Sequence, residues 1–315
     1  MWLSELRSLV TLTGYKLVQL AAGAYSIHSL AYGETMHPAI GPAAEAEALY
    51  VDQLRLAERI REQAGEFVIW DVGLGAAANA LAVLRATHDL ACAIRLISFD
   101  NTTEPLRFAL NHKEALGYFG GCESHAQTLL EKNRVNFRDA DHRVEWELQS
   151  GDFPTLLARL LAASPTRSAD ESQRAAGMLP AEEPELLPAP HAILFDPYSP
   201  AKNPAMWTLP LFANLFRLLD PARLCALATY SRSTITRGAL LLAGFYVGAG
   251  HATGEKQETT IAANTPELID EPLDRRWLER ARRSHSAEPL CEPVYRQARL
   301  APATWEGLQR HPQFR

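Results

Sequence analysis

Four apolar runs in this chain end in an acidic residue, and their order and spacing leave few folds open. They are Phe67-Val68-Ile69-Trp70-Asp71, Leu96-Ile97-Ser98-Phe99-Asp100, the longer Trp146-Glu147-Leu148-Gln149-Ser150-Gly151-Asp152, and Ala192-Ile193-Leu194-Phe195-Asp196. Runs of this kind read as strands, here expected at 67–72, 94–99, 144–149 and 192–196, with two more at 224–230 and 245–248. Helical patterns lie between most of them. Such alternation predicts an α/β fold, a mostly parallel sheet with helices on both faces. These sheets bind ligands at the carboxyl ends of their strands, where Asp71, Asp100, Asp152 and Asp196 fall. One acid at a strand end is commonly a turn or helix-cap residue. Four in succession outline a site.

The turn after the first run is Asp71-Val72-Gly73-Leu74-Gly75, ahead of a helix expected from about Ala76. Glycine lets the backbone turn tightly and approach a ligand with no Cβ in the way. The third glycine of a dinucleotide fingerprint is missing, its place taken by Ala78, which argues against a pyrophosphate-bearing cofactor. S-adenosylmethionine (SAM) carries no phosphate and suits the weaker loop. On that reading Asp100 accepts hydrogen bonds from the ribose hydroxyls and Asp152 from the adenine amino group.

Beyond the fourth run the chain continues Pro197-Tyr198-Ser199-Pro200-Ala201-Lys202-Asn203-Pro204-Ala205-Met206-Trp207. Its prolines fix φ, so the side chains of this loop are aimed in advance. The run from Asp196 to Trp207 resembles the corresponding loop of methyltransferases of the MnmC/MnmD type. These use SAM to methylate the aminomethyl group on the wobble uridine of certain tRNAs. The resemblance covers about residues 15–262, apart from 162–191. Gly33-Glu34-Thr35-Met36-His37 resembles the family's entrance element, and Gly41 to Val51 aligns without gaps to a segment that places Glu45 on the family's glutamate. The loop after Asp71 retains Gly73, Gly75 and Asn79, and Ala228-Thr229-Tyr230-Ser231, 237–245 and 254–259 are similar as well. Ala77 stands where the family has its last loop glycine, and Glu47 and Gln257 stand where it has arginines.

The resemblance implies a Rossmann-like SAM-dependent methyltransferase sheet with a small strand-rich N-terminal extension. It implies conversion of 5-aminomethyl-(2-thio)uridine in tRNA to the 5-methylaminomethyl form, with Asp196 accepting an N–H of the amine and Tyr198 orienting the base. Expected cofactor contacts are Glu34, Asp71, Gly73, Gly75, Asn79, Asp100, Asp152 and Asp196. Expected substrate contacts are Met36, His37, Lys202, Trp207 and Lys256, and Trp207 suits core packing as well as base stacking. The family's flavin-dependent domain has no counterpart in this chain, so a stand-alone form without flavin is expected. Two other readings stay open. One is methylation of another amine, including a small molecule, since the layout is also similar to aminopropyl transferases. The other is a degenerate paralogue that binds SAM or RNA without catalysis.

A net charge of −6 is unusual for a nucleic-acid binder, but residues 271–315 hold nine Lys/Arg against six Asp/Glu. The stretch 275–283 is a basic helix candidate, either a solvated face or a phosphate-contacting surface. The four cysteines form no CxxC pair, as expected of reduced thiols in a cytoplasmic protein. No His, Cys or carboxylate spacing points to a metal. No apolar run reaches the roughly 18 residues of a membrane span, and the amino terminus lacks the pattern of a signal peptide. The expected organisation is an extension over 1–40, a methyltransferase domain over 41–265 and a tail over 266–315. The domain opens on a helix running to about Gln63, and 162–191, rich in Ser, Ala, Glu and Pro, reads as a flexible surface insertion.

Overall fold

The computed structural model describes residues 14–163, 187–252 and 258–315. Most of the expected insertion, and Lys256, lie outside the described residues. Among the described residues the chain forms two sheets. The smaller is antiparallel, with β1 (Tyr15–Gln19), β2 (Tyr25–Ser29) and β3 (Glu34–Thr35). Its hairpin turns at Ala21-Ala22-Gly23-Ala24, where Gly23 takes a φ of 87° that suits glycine.

The larger sheet holds β4 (Glu66–Val72), β5 (Ala93–Asp100), β6 (Arg134–Asp139), β7 (His142–Ser150), β8 (Ala192–Phe195), β9 (Ala226–Thr229), β10 (Tyr246–Gly250) and β11 (Thr259–Ala263). Their spatial order is β10-β11-β9-β8-β4-β5-β7-β6. The central strands β9, β8, β4, β5 and β7 are parallel, and β6, β11 and β10 are antiparallel to their neighbours. The chain moves outward from β4 through β5 to β7, then returns to place β8 on the other side of β4. That reversal opens a crevice at the carboxyl ends of β4 and β8. The Rossmann-like α/β expectation is met. Two strands, β6 and β11, were not expected.

Because β4 is buried on both faces, alternate residues serve two cores. Phe67 and Ile69 pack with the helices at 78–87 and 123–132, whereas Val68, Trp70 and Val72 pack with those at 153–163, 209–218 and 234–243. The helix expected over 41–63 is interrupted. It runs as Pro42–Ala46, then a π-helical turn over Glu47–Asp52, then a left-handed Arg55 at φ 49°, and resumes over Leu56–Glu62. The C-terminal residues lie against the second core. Asp274 caps the helix Arg275–Arg283 by accepting from Trp277 N at 2.8 Å. Trp277, Leu278, Leu308 and Phe314 are buried there, each apolar side chain contributing about 1.5–3 kcal/mol. Gln313 also bonds Val247 at both its N–H and its C=O, each at 2.7 Å.

Candidate active site

The crevice is a cavity of about 490 Å³ whose walls come from the N-terminal sheet, the helical segment after it and the loops after β4, β5, β7, β8 and β9. After β4, Gly73 turns the backbone at φ 97°, and a Cβ there would lie 2.9 Å from the carbonyl oxygen of Asp196. Only glycine lets the β4 and β8 loops come this close. Gly75, at φ 51°, donates its N–H to Asp100 Oδ2 at 2.8 Å, and Met36 sits above it. Thr102 N donates to the other oxygen of Asp100. Burial raises the Asp100 pKa, and the Gly75 and Thr102 amides counter the rise. Asp152 lines the cavity while accepting from Thr155 N and Oγ1 at 3.1 and 2.6 Å, as a helix cap does.

Asp196 stands opposite. Its Oδ2 accepts from Asn79 Nδ2 at 2.8 Å, and His37 Nε2 lies 3.6 Å away. The side chains of Asp196 and His37 are 16% and 12% exposed. His37 adopts φ 47°, a left-handed conformation uncommon for a side-chain-bearing residue and most frequent at functional or strained positions. The Asp196–Trp207 loop is tied to the N-terminal sheet by Glu34, whose carboxylate accepts from the backbone and hydroxyl of Ser199. Tyr198 stacks on Tyr32, ring centroids 3.9 Å apart, and burial pushes its phenol up.

Glu34, Met36, His37, Gly73, Gly75, Asn79, Asp100, Asp152, Asp196 and Tyr198 therefore meet around one cavity. Three expected residues do not. Asp71 is fully buried, its side chain on the opposite side of β4 from Val72, where it accepts from Ser98 Oγ at 2.8 Å. Burial pushes its pKa to about 7. Trp207 is also fully buried, edge-on to Phe195 and Tyr230, with Nε1 donating to the Tyr198 carbonyl at 2.8 Å. It holds the loop from behind and offers no face for stacking. Lys202 is exposed and outside the cavity wall, near Gly33. Ala77, the replacement for a loop glycine, takes φ 62° yet is buried away from the cavity, so the lining glycines are intact.

Three contributors escaped the sequence reading. Tyr32 supplies the stacking partner of Tyr198, and Tyr230 lines the cavity while donating to the Pro197 carbonyl at 2.9 Å. Tyr50, within the π-helical turn, is fully buried, and its hydroxyl makes no hydrogen bond of good geometry. Burial and the negative charge of nearby Asp196 both raise its pKa. Tyr230 follows a strand in a recognisable motif and could have been found. Tyr32 and Tyr50 carry no local signal.

Residues 180–265 match the profile of a family described as S-adenosyl-L-methionine-dependent methyltransferase. The tRNA 5-methylaminomethyl-2-thiouridine biosynthesis bifunctional protein MnmC of Methylibium petroleiphilum is 28% identical over 251 residues, 78% of this chain and 34% of that protein. Its namesake from Aeromonas hydrophila is 28% identical over 232 residues, covering 68% and 30%. The crystal structure of MNMC2 from Aquifex aeolicus superposes with a TM-score of 0.62 at 21% identity, over 95% of this chain and 84% of that one. Over most of its length the chain is similar to MnmC proteins, and part of it matches a family of SAM-dependent methyltransferases. It spans about a third of the length of the curated relatives it matches.

The matched family is SAM-dependent, and the donor set of this cavity fits that cofactor. The wall holds Glu34, Glu45, Asp100, Asp152 and Asp196, with His37 as the one basic residue among the described lining residues. An acidic wall of this kind suits a ligand with a sulfonium, an ammonium and ribose hydroxyls, and repels a pyrophosphate. Asn79 Oδ1 is buried with no partner inside the protein, an acceptor that a cationic group would satisfy. The cavity volume falls in the range of roughly 300–1,000 Å³ common to small-ligand sites. Among the described residues no group of His, Cys, Asp and Glu is placed to hold a metal ion, and no helix is long and apolar enough to cross a membrane.

Proposed function

We propose that this domain N-methylates the 5-aminomethyl group of 5-aminomethyl-(2-thio)uridine at the wobble position of tRNA. The observation that carries the reading is Asp196, an oriented carboxylate at the end of a proline-stiffened loop, facing an acid-lined cavity. The names of the curated relatives support the tRNA substrate, which goes with a cytoplasmic location.

Bound SAM supplies the methyl group on a cationic sulfonium. The chain's own residues do the rest. Gly73 and Gly75 let the backbone approach the ligand, Asp100 takes the ribose hydroxyls and Asp152 the adenine amino group. Glu34 joins the cofactor side and holds the substrate loop in place. An ammonium has no lone pair, so the substrate amine must shed a proton before it attacks. Asp196 accepts an N–H of the amine and aims the lone pair, while Asn79 fixes the carboxylate. Tyr198, backed by Tyr32, presents a flat surface for the base, and Met36 and His37 wall the reacting group.

The test is nucleoside mass analysis of tRNA bearing free aminomethyl uridine after incubation with the protein and SAM. Gain of one methyl on that nucleoside is expected. If the protein binds SAM but leaves that tRNA unmodified, the substrate assignment is wrong, and methylation of another amine takes its place.

A further inference from the structure

The cavity poses an electrostatic problem for an RNA substrate. Its acidic wall favours an amine but repels phosphates, so the backbone of a bound RNA must be held outside it by groups of opposite charge. Residues 271–315 carry a net +3, against −9 for the remainder, and the fold shows where that charge sits. The helix Arg275–Arg283 buries Trp277, Leu278 and Ala281, which turns its five arginines to solvent. Among the described residues none of the ion pairs uses an arginine of that helix.

Three links bring this surface to the carboxyl edge of the sheet. Arg237 lies in the helix after β9 and bonds Glu258 at 3.2 Å and the Thr259 carbonyl at 2.6 Å. Gly238, next to Arg237 on that helix, lies against Ala287 and Pro289, which follow the C-terminal end of the arginine helix, and exposed Arg232 stands two residues beyond the cavity-lining Tyr230. Leu209 N donates to the Leu290 carbonyl at 2.7 Å, immediately after the Asn203–Met206 part of the cavity wall. Ala287 and Glu288 both donate to the Ala298 carbonyl, which closes a loop whose residues 291–299 are all exposed. Tyr295 is 37% exposed at its tip, with Arg296 next to it.

We infer that Arg232, Arg280, Arg283, Arg296 and Tyr295 form a docking surface for the RNA substrate, the arginines holding backbone phosphates and Tyr295 stacking on an unpaired base. The inference rests on the proposed RNA substrate. Guanidinium forks match phosphate oxygens in geometry, and an exposed aromatic beside them is what recognition of a single-stranded loop requires. The charge is thus divided between a cationic rim for the polyanion and an acidic cavity for the base bearing the amine.

The test uses the full chain and tRNA carrying free aminomethyl uridine, with binding measured across a salt series. The triple variant Arg280→Glu, Arg283→Glu and Arg296→Glu should bind at least about tenfold more weakly at moderate salt. The slope of log affinity against log salt should shrink by about 0.7–0.9 for each phosphate no longer neutralised. Lysines at the same three positions should restore the slope. Tyr295→Ala should weaken binding by about fivefold or more with the slope unchanged. SAM affinity, measured by calorimetry, should stay at the wild-type value in all variants and reports that they are folded. A charge-reversed variant that binds like wild type overturns the surface and leaves the substrate reading intact. Wild type that binds through these residues but leaves aminomethyl uridine unmethylated sinks the reading and keeps the surface. Wild type without affinity for tRNA overturns both.

Discussion

The cavity and the layer directly beneath it are built from the same strand ends, yet they treat equivalent residues in opposite ways. Asp196 and Asp100 face the cavity, each with backbone or amide donors holding its oxygens. Asp71, equally placed at the end of β4, points into the core and keeps one oxygen without a partner. Trp207 closes the same loop that Asp196 opens, and is wholly inside. The difference is one of side-chain direction. Successive residues of a strand face opposite sides, so neighbouring positions can belong to the site and to the core. Residues that tune chemistry and residues that hold it in place should therefore separate cleanly in measurement.

The largest expected effect is on stability. Trp207→Ala should cost about 3–5 kcal/mol in denaturant unfolding, the usual range for deleting a buried large aromatic. A loss of tRNA affinity with stability near wild type would instead return Trp207 to the substrate side. Next comes Asp196→Asn, which should lower methyl transfer at least about tenfold, since the amide accepts the amine proton less well, while SAM affinity changes little. Turnover like that of wild type would remove Asp196 from the chemistry. Asp100→Ala should weaken SAM binding by about 1–3 kcal/mol, read by calorimetry, because ribose hydroxyls would be left unpaired. Unchanged affinity would move the ribose contact elsewhere.

The smallest effect separates Asp71 from the cavity acids by pH. With its folded pKa at about 7 and its unfolded value near 3.8, Asp71 binds more protons in the folded state across that window. Its contribution to stability thus falls as pH rises from about 4 to about 7 and levels off above. His191, depressed by burial to about 4, gives the opposite slope between about 4 and 6.5. The comparison is therefore of Asp71→Asn with wild type, which share His191. The variant should lose less stability than wild type as pH rises through the window. Parallel curves would mean that Asp71 is charged throughout.

Legibility followed locality. β4, β5 and β8 are mostly apolar runs, so they stood out without knowledge of their neighbours. β6 pairs Val135 with Trp146 and Phe137 with Val144, but its hairpin turns at Ala140, at φ 49°, with no glycine to announce it. β11, Thr-Thr-Ile-Ala-Ala, has no alternation because it is buried along its whole length. In the site, the loop from Asp196 to Trp207 was readable from its prolines. Tyr50 was not, since only the π-helical turn and its packing bring it beside Asp196.

Local periodicity and chain direction were enough to give the succession of the central strands and helices along the chain and to mark the carboxyl edge, where the cavity lies. They were also enough to show the glycines and acids concentrated there. Which acids reach the cavity, that Trp207 serves the core, and that the basic C-terminal helix packs onto the body emerged from the folded chain. Each of these depends on residues far apart in the chain meeting, such as Ser98 with Asp71 or Tyr230 with Trp207, and no local pattern encodes them.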